Sequence, residues 1–265
     1  MNEVILSPAK IDPLAIVDPT ARIAAGVEIG PWTIIGANVE IGEGTVIGPH
    51  VVIKGPCKIG RYNQIYQFVS LGEAPQHSGY KGEPTQLMIG DHNIIREYVS
   101  MNRATVSGSA KTIVGNHNFF MSYTHVAHDC VVGNHVIFAN NSQIAGHVTI
   151  DDYVTLGAYT GIHQFVHIGA YCFLGRAAKI VQDCLPFMMV YGNPGVPAGL
   201  NKVGLQRAGF SVETLKHLRR AYHIIFRKGL KLQEAIDELR GMVSDCAEIQ
   251  RLIRAIERAE RGIAR

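Results

Sequence analysis

The sequence predicts a parallel β-helix of hexapeptide repeats followed by a small helical domain, and three observations carry that prediction. An aliphatic residue recurs at every sixth position, from Ile5, Ile11 and Val17 through Ile53, Ile59, Ile65 and Leu71, and again from Val114 and Phe120 through Leu174 and Ile180. Glycine often follows it, as in Ile29-Gly30, Ile41-Gly42, Val132-Gly133 and Ile168-Gly169, which is the signature of a hexapeptide solenoid. The position two residues earlier is small or β-branched, as at Val27, Thr33, Val39, Thr45, Val51 and Cys57. Both positions face inward on a short strand of period two.

Each segment follows from that grid. Three hexapeptides close one triangular coil, so residues eighteen apart stack at a strand spacing of about 4.8 Å. Between Leu71 and Ile89 the register survives while the pattern fails, and residues 73–86, with Pro75, Gly79, Gly82 and Pro84, read as a loop thrown out of the stack. A second excursion lies near residues 103–111, where Met101 and Val114 stand thirteen apart and the register slips by one. Long loops inside a regular scaffold are usually functional. After Ile180 the period stops, and Pro186, Gly192, Pro194, Gly195, Pro197 and Gly199 read as a linker. Ser211 is the expected N-cap of a helix whose Val212, Leu215, Leu218, Tyr222, Ile225 and Phe226 share a face, with Gly229 as its stop. Two more helices are expected around 232–242 and 247–260. The domains are therefore placed at 1–190 and 200–265.

Composition narrows the function. The chain has 265 residues, 47% of them hydrophobic, enough for a substantial core. Neither a secretory leader nor a spanning helix is expected, since residues 1–10 lack a basic stretch followed by an apolar run and the longest stretch free of charged residues and histidine, 184–201, is broken by glycines and prolines. Five cysteines form no CxxC pair, and Cys57, Cys130 and Cys172 fall at the small inward position, as buried thiols of a reducing cytosol would. Gly42, Gly44 and Gly48 sit on the six-residue grid with no helix after them, which argues against a phosphate-binding loop. Charge is uneven: residues 1–199 carry 11 basic and 14 acidic side chains, whereas 200–265 carry 14 and 8. A C-terminal segment of net +6 suits an acidic partner or is simply a solvated helical surface.

The histidines point to the chemistry. His125 and His167 alternate with inward positions and so face outward, while His128, His147 and His163 fall at or near corners between strands. Counting by eighteens, His128 stacks on Gly146 and then Gln164; His147 adjoins Gly146 and His163 adjoins Gln164. Three imidazoles and a small residue thus share one edge, as a site, a packing surface between subunits or a solvated edge would have it. No His-Cys set of the usual structural zinc type, no paired carboxylates and no serine elbow are present.

The segments Ile41 to Ile53, Ile65-Tyr66-Gln67-Phe68, Gly82-Glu83-Pro84-Thr85, His125 to Cys130 (HVAHDC), Asn140-Asn141, Ala145 to Val148, His163-Gln164-Phe165 and Gly192-Asn193-Pro194 closely resemble the bacterial UDP-N-acetylglucosamine O-acyltransferase family, end to end. The resemblance implies a left-handed parallel β-helix, a cytoplasmic homotrimer and the first step of lipid A synthesis. That step is transfer of an (R)-3-hydroxyacyl chain from acyl carrier protein to the 3-hydroxyl of UDP-N-acetylglucosamine. It implies no cofactor and no metal, because the 4'-phosphopantetheine arrives on the carrier protein, and it implies neither a nucleic-acid partner nor an integral membrane segment. Carried over residue by residue, it makes His128 the general base with Asp129 beside it, and gives Gly146 the oxyanion-binding backbone N–H. Gln76, His125, His147, His163 and Gln164 become substrate contacts, Asn201 and Arg207 hold the nucleotide, and Arg176 stands at the acyl-chain ruler. Arg219 and Arg220 are expected to meet the acidic carrier protein.

Several positions depart from the family pattern. Gly79 stands where a lysine is common, with Lys81 nearby; Asn102 replaces a histidine; Val203 and Ala208 replace an acidic residue and an arginine on the nucleotide side. These changes suit weaker nucleotide binding or a modified acceptor with a 3-amino group. A γ-type carbonic anhydrase with zinc held between subunits, and a non-catalytic paralogue that binds carrier protein, are the other classes to separate.

Overall fold

The computed structural model describes residues 7–265; Ile5, the first position of the repeat, lies outside the described residues. Short parallel strands, mostly two residues long, stack into three faces of a triangular prism, a left-handed parallel β-helix. The first face has eleven strands, the second nine and the third eight among the described residues. From Val27 onward both inward positions of the repeat are buried: Val27, Thr33, Val39, Thr45, Val51 and Cys57 are all at 0% exposure, and the aliphatic column from Ile29 to Ile180 fills the rest, whereas Ile11, Val17 and Ile23 at the open end of the prism stay partly exposed.

Register bears out the count by eighteens and shows what the excursions cost. Gln64 pairs with Val46, eighteen residues back, but with Ile94, thirty ahead, so the first loop inserts twelve residues. Ile94 pairs with Phe119, twenty-five ahead, so the second inserts seven. Beyond it the interval returns to eighteen, as in His125 with Gln143 and Gln143 with Gly161. At nearly every corner one residue takes φ near +60°, including Asp129, His147 and Phe165 between the second and third faces. Corner side chains consequently stack in columns, such as Tyr62, His92, His117, His135, Tyr153 and Tyr171 between the third and first faces. Inside, Asn63, Asn93 and Asn118 form an amide ladder that satisfies buried backbone groups. All five cysteines are buried and free, and burial pushes the thiols of Cys57, Cys130 and Cys172 up to about 12.

The expected linker is partly regular structure. Met188–Tyr191 continues the first face by pairing with Phe173 and Leu174, and Val196–Leu200 folds back on it antiparallel. The interval there is sixteen, not eighteen, which hides the coil from a six-residue grid, while Phe187, Met188 and Val190 are buried like any other core residues. Four helices follow: α1 (Lys202–Arg207), α2 (Val212–Phe226), α3 (Leu232–Arg240) and α4 (Ile249–Arg258). Ser211 caps α2 by accepting from the Thr214 N–H, as expected, but Val212 is 72% exposed and lies off the buried face. The short α1 went unforeseen. The helices share one hydrophobic cluster with the prism, and Arg258 of α4 reaches the third face at Asp151 and His167.

Candidate active site

The corner between the second and third faces gathers the histidine edge. His128 opens the turn that follows a second-face strand (His125–Val126), and its Nδ1 lies 2.8 Å from Asp129 Oδ2. That bond places the proton on Nδ1 and leaves Nε2 as an acceptor. Asp129 is held from the second excursion, because Thr105 donates both its backbone N–H, at 3.0 Å, and its hydroxyl, at 2.7 Å, to Oδ2. Its side chain is fully buried, and His147 Nε2 stands 3.7 Å away on the other side. The carboxylate therefore orients one imidazole and faces a second.

One coil on, Gly146 sits directly over His128, where a Cβ would come within 2.5 Å of Cε1 and 2.8 Å of Nε2. Among the described residues the Gly146 N–H makes no hydrogen bond, which leaves a free backbone donor beside the free imidazole nitrogen. A groove of about 570 Å³ runs from this corner along the second face, lined by Gln76, His125, His128, Gly146, Gly161 and His163 among others, and ends at Lys179. Its size suits a small-molecule or acyl ligand.

The other expected residues distribute as follows. His125 hydrogen-bonds Ser100 at 2.8 Å, and burial holds its imidazolium below the ordinary range. His147 stacks on Phe165 at 4.5 Å; burial lowers it too, with Asp129 opposing. His163 Nδ1 lies 3.1 Å from the carbonyl of Gln164, whose side chain is exposed beside the groove. Asn201 lies elsewhere: its Oδ1 accepts from Gly204 at the start of α1, and its Nδ2 donates to the Tyr171 carbonyl at the corner between the third and first faces. Arg207 is exposed at the end of α1. A single chain thus does not bring Asn201 and Arg207 to His128. Arg176 is exposed at the corner between the first and second faces, outside the groove lining, with its guanidinium 5.8 Å from the centre of the Tyr159 ring.

Two contributors escaped the sequence reading. His77, from the first excursion, meets His128 edge to face at 5.4 Å, and its Nδ1 accepts from the Gly79 N–H at 3.1 Å. A side chain at position 79 would crowd that ring, with a Cβ 3.1 Å from His77 Cε1, so the glycine and the histidine belong together. Lys81 instead turns to Glu83 through its backbone. Thr105 was equally hidden, since a loop cannot be placed by counting eighteens. Asn102 anchors the first excursion by donating to the Ala74 carbonyl at 3.0 Å.

Comparison with known proteins places the sequence and the fold in a family. Residues 183–264 match the profile of domain 2 of the UDP N-acetylglucosamine O-acyltransferases, and 38–73 and 111–146 match bacterial transferase hexapeptide repeats. The acyl-[acyl-carrier-protein]–UDP-N-acetylglucosamine O-acyltransferase of Halorhodospira halophila is 50% identical over 97% of this chain and 99% of its own length. That of Thiobacillus denitrificans is 50% identical over 97% and 100%. Among solved structures, LpxA from Acinetobacter baumannii superimposes with a TM-score of 0.95 at 47% identity, covering 96% of this chain and 99% of that one. The UDP-N-acetylglucosamine O-acyltransferase from Moraxella catarrhalis does so at 0.94 and 45%, with 96% and 99% covered. The chain belongs to the UDP-N-acetylglucosamine O-acyltransferase family.

Proposed function

We propose that the protein transfers an (R)-3-hydroxyacyl chain from acyl carrier protein to the 3-hydroxyl of UDP-N-acetylglucosamine, opening lipid A synthesis. The observation that carries the mechanism is the pairing of a free His128 Nε2 with the free Gly146 N–H at the head of one groove. Nε2 removes the proton of the sugar hydroxyl as its oxygen attacks the thioester carbonyl, and the Gly146 N–H receives the negative charge that gathers on the carbonyl oxygen. Collapse breaks the C–S bond, and the imidazolium returns its proton to the departing pantetheine thiolate. Asp129 keeps Nδ1 protonated and the ring in place.

The same reading includes a cytoplasmic homotrimer. Asn201 and Arg207 sit on a different corner from His128, so packing prisms around a three-fold axis is the arrangement that supplies the nucleotide side of each groove from a neighbour. Such packing also covers a groove that one chain leaves open, excluding water from the thioester. Among the described residues no helix is long and apolar enough to cross a membrane.

Zinc chemistry has one observation in its favour, because His128, Asp129 and His147 offer ligand atoms within 4.8 Å of one another. Against it, Nδ1 of His128 and Oδ2 of Asp129 are engaged with each other, and Thr105 takes two further positions on the same oxygen. The deciding experiment incubates purified protein with UDP-N-acetylglucosamine or its 3-amino analogue and a panel of 3-hydroxyacyl carrier proteins, with metal content measured alongside. A product heavier by one 3-hydroxyacyl group, formed at full rate in the presence of a chelator, is expected. Carbon dioxide hydration that tracks bound zinc would replace this reading with the anhydrase.

A further inference from the structure

We infer that the acidic carrier protein docks on the arginine face of α4, and not on the Arg219-Arg220 pair of α2; this rests on the proposed acyl transfer. Helix α4 is two-sided. Ile249, Leu252, Ile253, Ala255 and Ile256 are buried against the helical core, whereas Arg251, Arg254, Arg258 and, just past the helix, Arg261 recur at helical spacing on the other side. Arg251, Arg254 and Arg258 line a groove of about 510 Å³ between α4 and the third face of the prism. Arg258 and Arg261 line the next, of about 340 Å³.

Only Arg258 is committed, to Asp151 at 3.4 Å and to His167. The guanidinium groups of Arg251, Arg254 and Arg261 make no hydrogen bond or ion pair among the described residues, and all three are exposed. The acids nearby are already occupied: Asp152 accepts from Asn134, Asp151 faces Arg258 and His167, and Glu257 pairs with Arg240, which leaves Glu260 in the second groove. A row of unspent positive charge beside a groove is complementary to an acidic helix face.

Position distinguishes this row from other basic residues. The second groove is also lined by Phe165, which stacks on His147 at 4.5 Å, and His147 in turn meets His128 at 5.3 Å. Two ring contacts therefore separate the basic surface from the proposed base. A partner seated on α4 presents its prosthetic arm at the same edge that carries the reaction. Helix α2, by contrast, packs mainly on α3, α4 and the strand Val196–Leu200, and none of its residues lines either groove.

The test compares Arg251→Glu/Arg254→Glu with Arg219→Glu/Arg220→Glu in the full-length protein; Arg258 is spared because its ion pair ties α4 to the prism. Binding of holo-carrier protein is titrated directly, and transfer is followed with 3-hydroxyacyl carrier protein and with the matching 3-hydroxyacyl-pantetheine, which lacks the protein. Reversal on α4 is expected to weaken carrier binding and raise KM for the carrier-linked donor by about ten-fold, and to flatten the salt dependence of both. kcat/KM for acyl-pantetheine should not move. Unchanged carrier binding in the α4 variant, an equal loss with both donors, or the same loss from the α2 variant alone would each overturn the assignment. Wild-type protein that binds the carrier yet transfers no acyl group retires the proposed reaction while leaving the docking surface in place.

Discussion

Gly146 and His128 share one corner a single coil apart, so close that a Cβ on the glycine would stand 2.8 Å from the imidazole Nε2. In the proposed mechanism, the residue that offers the oxyanion donor is therefore also the residue whose smallness lets the base reach the substrate. Gly146→Ala should tilt the ring away from its Asp129 bond and lower kcat by roughly 10²-fold, the usual effect of misplacing a catalytic group by about 1 Å. Thermal stability should change little, because the ring can swing toward the groove. Unaltered kcat in the alanine variant would show that the corner has room to spare.

Removing the base and removing its support should be separable. His128→Ala is expected to reduce turnover by roughly 10² to 10⁴-fold and to lower Tm as well, since it also removes a hydrogen bond to the buried Asp129 carboxylate. Thr105→Val deletes the hydroxyl 2.7 Å from Asp129 Oδ2 but keeps the backbone N–H at 3.0 Å. Its cost should fall mainly on stability, about 1–3 kcal/mol for a lost bond to a buried charge, with a smaller fall in kcat than His128→Ala. Denaturant melts and steady-state rates on both variants check the split. A Thr105→Val enzyme as inactive as His128→Ala would mean that the hydroxyl itself takes part in the reaction.

Legibility in the sequence followed the physics of the repeat. A period of six with small and aliphatic inward positions left almost no freedom in the prism, so the stacking of Gly146 on His128 could be counted without coordinates. Counting failed wherever the backbone left the grid. His77 and Thr105 ride on excursions of twelve and seven extra residues, whose paths depend on contacts such as Asn102 with Ala74 and Arg103 with Tyr80. The coil at Met188–Tyr191 was missed for a smaller reason, an interval of sixteen. Asn201 shows a third limit: its side chain caps α1 and binds the prism, a structural duty that a motif match does not reveal.

Acid should destabilise the fold through the site's own histidines. Burial holds both His125 and His147 below the ordinary imidazole value; Ser100 opposes the shift at His125 and Asp129 opposes it at His147. A group whose folded value is lowered gives stability that is present above the unfolded value, near ~6.5, and lost as pH falls toward and through the folded one. Tm should therefore be level above about pH 7 and decline below ~6.5. His125→Gln should remove part of that decline, and an equal slope in the variant would place the titration elsewhere.

The last prediction concerns acyl length and places two cations in competition. Arg176 occupies the position that the family resemblance assigns to the ruler, yet its guanidinium lies over Tyr159 at an exposed corner, while Lys179, three residues on, lines the end of the groove. We propose that Arg176 still sets the limit once a neighbouring subunit closes the groove, because the Tyr159 contact is worth only about 0.5–1 kcal/mol at an exposed site and yields to packing. A guanidinium turned into an apolar channel fills volume and resists burial without a partner. Each methylene denied burial forfeits about 0.8 kcal/mol, so a stop that excludes two carbons should discriminate roughly ten-fold. Arg176→Gly is therefore expected to move the preferred 3-hydroxyacyl donor about two carbons longer, and Lys179→Ala to leave the optimum in place while lowering selectivity. The donor panel is run on all three proteins. An optimum unmoved by Arg176→Gly but lengthened by Lys179→Ala would transfer the ruler to Lys179, the cation already standing in the groove.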